Sequence, residues 1–359
     1  MLTQESHHIV SFLLDNYKIP KVQLSQPAHD WLTCLFDKIK HIKMETLRKD
    51  DLVMCLTLNQ ATYSNNRYIA PNIQADISTN TKCQTYTILN TTIVIGKDWL
   101  PQINLQHITN IISIMRKLTG KTDHILINIW NTRHKKELPH RCSKLEPVNI
   151  NSGSTLPGEF INLWRHEELY KVLIHELVHT FFLDFRDSCN IENYVRTTFS
   201  ISPDSPVYIW ESYTEFLAII IHAIYISKTV ESVVNILTVE KHFGYIQCAK
   251  ILHQFGCDST QNLLDRKCTL KYITDILSYF NIKTSMLHSL DQSILYMKKY
   301  NINLVKFNEH HCKEYLELID YTMNKKSFVS AIDYHIHKTP IIHDPIIKKT
   351  LRMTAVEVK

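Results

Sequence analysis

The amino-acid sequence predicts an α+β protein, with short strands in the first half and helices through most of the second. Two observations predict it. Short β-branched runs bounded by turn residues recur between 51 and 165, and apolar positions at helical spacing dominate from 166 onward. A third feature marks the junction: HELVH, residues 175–179, lies inside the apolar stretch ELYKVLIHELVHTFFLDF.

Taken in order, 2–16 and 28–46 carry helical apolar spacing (Ile9 and Leu13; Trp31, Leu35, Ile39 and Ile42). DLVMCLTL at 51–58 and CQTYTILNTTIVIG at 83–96 are β-prone, 104–118 is an amphipathic helix, and HILINIWNT at 124–132 is a strand. A polar turn, RHKKELPHRC, follows at 133–142. VNINSGST (148–155) reads as an extended segment with a Gly break and EFINLWR (159–165) as a further strand. The HELVH helix is expected from His166 or Glu167 to Leu183, with Glu167 and Glu168 in its first turn, where acidic groups suit the helix dipole. An irregular stretch, 184–206, separates it from a second strong helix over 207–227. Helices are then expected over 229–256, 269–280, 285–299 and 308–327, with an irregular tail after Pro340.

The 359 residues are enough for one large domain or two, and the 44% hydrophobic, 21% charged composition is that of an ordinary globular chain. The net charge of +5 is spread over scattered Lys and Arg, which argues against a nucleic-acid groove. Nine cysteines, an odd number without any CxxC, fit free thiols in a reducing compartment better than a disulfide framework. The first residues lack the basic start of a signal peptide, and the strongest apolar run, FLAIIIHAIYI at 216–226, is too short to span a bilayer. These features place the chain in the cytoplasm, off the membrane. They leave the oligomeric state open.

On a helix, residues four apart lie on one face, so His175 and His179 can share one cation, with Glu176 beside it. Neutral imidazoles suit Zn²⁺, and a glutamate one step round is where a general base for a metal-bound water belongs. The bland alternative is a core helix whose histidines bond to their neighbours. A catalytic zinc site needs a third protein ligand. No third histidine follows within a short loop, but YIWESYTEFLAIIIH (208–222) places Glu211 and Glu215 on one face of an otherwise apolar helix. Buried carboxylates call for cations or hydrogen-bond donors, which Zn²⁺ and a ligand histidine's Nδ1–H would supply.

HELVH followed by WESYTEF resembles the gluzincin metallopeptidases, zincin-like proteins with a small mixed-sheet lobe and a helical lobe around a cleft. Upstream, NSGST and FINLWRHEE resemble predicted peptidases of large cytoplasmic DNA viruses, an origin compatible with the scarcity of Gly and the abundance of Ile, Asn and Lys. The resemblance covers about 124–222. It implies one zinc ion held by His175, His179 and Glu211, with Glu176 as base and Glu215 orienting a ligand histidine; the exchange of Glu211 and Glu215 stays open. Asp184 would brace a ligand histidine or end the helix. For the oxyanion donor, Tyr208 is the first candidate, with Tyr194 and His222 behind it. The preceding edge strand, which would pair with substrate, is either NSGST or FINLW.

The implied function is zinc-dependent hydrolysis of protein or peptide substrates, as an endopeptidase, in the host cytoplasm or a virion. The implied layout is an N-terminal helical segment (1–50), a peptidase core (51–285, divided near 183) and a C-terminal helical extension (286–359). Two rivals are an inactive zincin-fold binding protein in which zinc staples two helices, and a nucleic-acid-associated factor. Three further clusters read as structural: NEHHC (308–312) as a solvated face, RHKKELPHR (133–141) as a turn, and DYHIHK (333–338) as a strand with His335 and His337 on one side.

Overall fold

The structure, a computed structural model, describes residues 1–54, 63, 66–79, 82–140, 143–184, 192–300 and 309–359. Six strands form one mixed sheet in the order β1-β2-β3-β4-β6-β5. They are β1 (Arg48–Met54), β2 (Lys82–Ile88), β3 (Thr91–Gly96), β4 (Ile125–Thr132), β5 (Gly153–Leu156) and β6 (Phe160–Arg165). The β-prone run at 83–96 is a hairpin. Leu89 and Asn90 both take positive φ, 44° and 56°, as a tight two-residue turn demands. Of the strand expected at 51–58, residues 51–54 belong to β1 and 55–58 lie outside the described residues.

β3 pairs with β4 in parallel, which requires a crossover, and helix Leu105–Thr119 supplies it. β4 also runs parallel to β6, and β5 is antiparallel to β6 at the edge. Alternation along β4 serves two faces. Ile125, Ile127 and Ile129 join the main core with Ile111 and Leu173, while Trp130 packs with Trp164, Ile73 and Ile77 on the other side. The second face also buries Asn128 and Asn162, whose side chains bond to each other at 3.0 Å.

The helical half is built around Trp210–Ile226, which packs along the HELVH helix, and Val230–Gln254. The apolar run 216–226 lies in this interior, and no helix among the described residues is long and apolar enough to cross a membrane. The chain departs from expectation at 269–275, which is not helical. Leu270 bridges to Ile201, and buried Asp275 takes the amides of Tyr208 and Ser278. At Leu277–Ile282 the chain coils, as a π-helical turn, before helix Lys283–His288. DYHIHK belongs to helix Lys326–Lys338, so residues two apart diverge by about 200°. His335 is buried and His337 exposed.

Three further corrections concern charge and sulfur. The HELVH helix spans Leu169–Thr180, and Glu168 precedes it at φ 61°, so Glu167 and Glu168 are not dipole partners in its first turn. Glu168 instead pairs with Lys136 at 2.6 Å and accepts the amides of Met353 and Thr354. Lys136 belongs to the stretch read as a polar turn, yet it is 1% exposed. The tail expected to be irregular carries a short helix, Pro345–Lys349, and beyond it residues 350–358 are buried, with amides that find Glu168, Glu240 and the carbonyl of Lys136. A buried segment without a ladder must pair its backbone groups with side chains, and this one does. Cys257 and Cys268 form a disulfide, and Cys83 and Cys312 are disulfide-bonded as well, so the expectation of free thiols fails for these four. Cys34 and Cys248 are free.

Candidate metal centre

The HELVH helix and helix Trp210–Ile226 lie side by side, and each contributes one i,i+4 pair to the space between them. Nε2 of His175 is 3.0 Å from Nε2 of His179, and each lies 3.2 Å from Oε2 of Glu211. These three side chains are the group among the described residues able to hold a metal ion. Donors bound to a tetrahedral zinc stand about 3.4 Å apart, close to the spacing seen.

The far side of each ring explains why Nε2 is turned inward. His175 Nδ1 meets Glu215 Oε2 at 2.9 Å, and His179 Nδ1 meets Asp184 Oδ2. A carboxylate at Nδ1 keeps the proton there and leaves the lone pair on Nε2. Two imidazole lone pairs and one carboxylate oxygen therefore face one another in a buried space. That arrangement repels itself unless a proton or a metal ion sits among the three. Glu211 converges with the imidazole nitrogens, and Glu215 takes the supporting position.

Asp184 reaches His179 because of how the helix ends. The Phe182 amide bonds the His179 carbonyl and the Leu183 amide bonds the Val178 carbonyl, a Schellman turn with Phe182 at φ 55°. This turn folds the chain back on the last turn of helix. Glu215 is held from its other side by Lys171, also buried.

The charges follow from these contacts. Burial disfavours the imidazolium of His179, but Glu211 and Asp184 outweigh it and raise the pKa to about 10. His175 is raised in the same way, against burial, by Glu211 and Glu215. Burial likewise opposes the charged Glu215, yet Lys171 and His175 hold its carboxyl well below the usual range; His179 and His175 do the same for Glu211. The pocket is built for positive charge.

Glu176 sits beside the group, 5% exposed, and accepts the Thr155 hydroxyl at 2.5 Å. Thr155 belongs to edge strand β5, so NSGST, not FINLW, forms the strand beside the site. A Cβ at Gly153 would lie 2.5 Å from Glu176 Oε1, which explains the Gly break in this strand. The strand is anchored by the Asn151 carbonyl, which takes the Trp164 indole N–H at 3.0 Å and Arg165 Nε–H at 2.8 Å.

A cavity of about 690 Å³ opens over the group. Tyr208 lines it, half-buried, with its ring 5.0 Å from that of Trp210, and no contact with the histidine pair is seen. Tyr194 is exposed and bonds Asp320, and His222 is buried against Glu357, so neither is at the cavity. Sequence reasoning missed Tyr279, carried by the π-helical turn, with its ring 6.1 Å from His175. Burial, and then the charges of Glu211 and Glu176, push its hydroxyl pKa well up, so it stays a donor. No motif marks this residue; only the packing of 277–282 against the helix of Glu211 brings it in. Neither a protein-family model, nor a curated protein, nor a solved structure matches the chain.

Proposed function

We propose that this chain is a zinc-dependent peptidase of the gluzincin type, with a zincin-like core, acting as an endopeptidase. The observation that carries the reading is the buried convergence of two imidazole lone pairs and the Glu211 carboxylate, with Glu176 beside them. His175, His179 and Glu211 would hold the ion. Zinc held there supplies a Lewis acid that lowers the pKa of water towards about 7 and polarises a scissile carbonyl.

The chain's own groups account for the rest. Thr155 fixes the Glu176 carboxylate, which takes the proton of the attacking water and passes it to the leaving amine. Tyr279, kept protonated, donates to the carbonyl oxygen as charge develops on it. β5, at the sheet edge, offers its backbone to an extended peptide. Asp184 and Glu215 keep both rings in the tautomer that presents Nε2. As to place, the reading is host cytoplasm or virion, and the Cys257–Cys268 disulfide favours an oxidising setting such as the virion over the reducing cytosol.

The test is cleavage of a peptide library by the zinc-loaded protein and by Glu176→Gln. Loss of about 10²–10⁴-fold in rate with zinc retained is expected of a general base. Zinc bound with no cleavage by either protein would leave a metal staple between two helices.

A further inference from the structure

A second cavity, of about 590 Å³, shares no lining residue with the first. It lies where Tyr17, at the end of helix Gln4–Asn16, meets helices Val230–Gln254 and Lys326–Lys338. Three imidazoles line it. His242 is 8% exposed and its Nε2 has no partner; His335 is 5% exposed and its Nδ1 has none. His288 is satisfied, by the Tyr245 hydroxyl at 2.6 Å and Ser327 at 2.8 Å. The His335 ring stands 4.9 Å from Tyr17, 5.2 Å from Tyr334 and 5.8 Å from Tyr245.

The charged side chains that line this cavity are all basic. Lys241 is 9% exposed and has no hydrogen-bond or ion-pair partner among the described residues. Lys18 lines the same cavity, and none of the lining residues is acidic. Lys241 and His288 also line an adjoining cavity of about 550 Å³, with Lys325, with Lys21, which pairs with Glu231, and with one carboxylate, Asp291, which accepts from Ser25. A buried ammonium without a partner is costly unless something satisfies it.

We propose that this cavity is a second binding site, for a small organic anion bearing a planar ring. Its phosphate or carboxylate would meet Lys241 and His242, and its ring would lie among Tyr17, Tyr334 and His335. The volume falls in the range of small-ligand pockets, about 300–1,000 Å³. Burial alone lowers the Lys241 pKa, to about 8, so the amine is also reactive near neutral pH.

That reactivity supplies the test. Pyridoxal 5′-phosphate, a ring with a phosphate and an aldehyde, condenses with a lysine amine and releases water; borohydride then reduces the imine and fixes the label. Lys241 is expected to be labelled at least tenfold faster than exposed Lys18, pyridoxal without its phosphate should show no such preference, and phenyl phosphate should protect. Tyr334→Ala removes a half-exposed ring without emptying the core, and should weaken protection by phenyl phosphate at least fivefold. Equal labelling of Lys241 and Lys18, equal rates with both aldehydes, or unchanged protection in Tyr334→Ala would overturn the proposal. None of these readouts depends on zinc or on peptide cleavage.

Discussion

Among the described residues, two histidine clusters have opposite surroundings. At His175 and His179, carboxylates stand behind both rings and a third, Glu211, faces them. At His242, His288 and His335, the neighbours are tyrosines and lysines. Burial opposes the imidazolium in both, but carboxylates overcome it in the first and raise the pKa values. In the second nothing does, and His242 falls to about 3, His288 and His335 to about 4. The same side chain is thus set among groups that favour positive charge in one place and kept neutral in the other. What stands behind the ring decides which.

Substitutions behind the rings can break this contrast. The largest effect is expected from Glu215→Gln, which strips His175 of its carboxylate and leaves Lys171 charged in the interior. Breaking a buried pair costs about 3–5 kcal/mol, readable as a drop in the denaturation midpoint. A loss below 1 kcal/mol would mean that Lys171 finds another partner.

Glu167→Gln calibrates burial itself, at a carboxyl outside both clusters. Burial first, then neighbouring Glu168, raises the Glu167 pKa from 4.5 to about 7. The folded state therefore binds this proton more tightly than the unfolded chain. Its stabilising contribution is present below about pH 4.5 and is lost as pH rises through 7. Glutamine stays neutral, so the variant should match the parent at pH 4.5 and exceed it by up to about 3 kcal/mol above pH 7. Denaturant titrations at the two pH values decide it.

The smallest effect sharpens the contrast most. Asp184→Asn removes the carboxylate behind His179. Metal affinity should fall about 10–100-fold, measured by competition with a chromogenic chelator, while the fold persists.

Much of this layout is legible in the chain. The spacing in 104–118, 124–132 and 159–165 leads to the helix and the two central strands, because each buries one apolar face against the core. Two i,i+4 pairs, His175/His179 and Glu211/Glu215, are enough to bring their side chains together, because helix geometry sets which way they point. Other features depend on contacts between segments far apart in the chain. Glu167 and Glu168 resemble a helix start, yet Glu168 serves the distant tail. Tyr279 reaches the site through a π-helical turn whose Ser278 amide is capped by Asp275, itself bonded to the distant Tyr208 amide. His335 and His337 look paired if the segment is taken as a strand, and its helical form parts them. Cysteine spacing does not reveal the Cys257–Cys268 bridge, which depends on where the 255–268 loop turns back.

The most direct test of the metal centre is the zinc content of the purified protein and of His179→Ala, by elemental analysis after dialysis against excess zinc and then buffer. One zinc per chain in the parent and none in the variant is expected. A parent that retains no zinc, or a variant that holds it as firmly, would contradict the account.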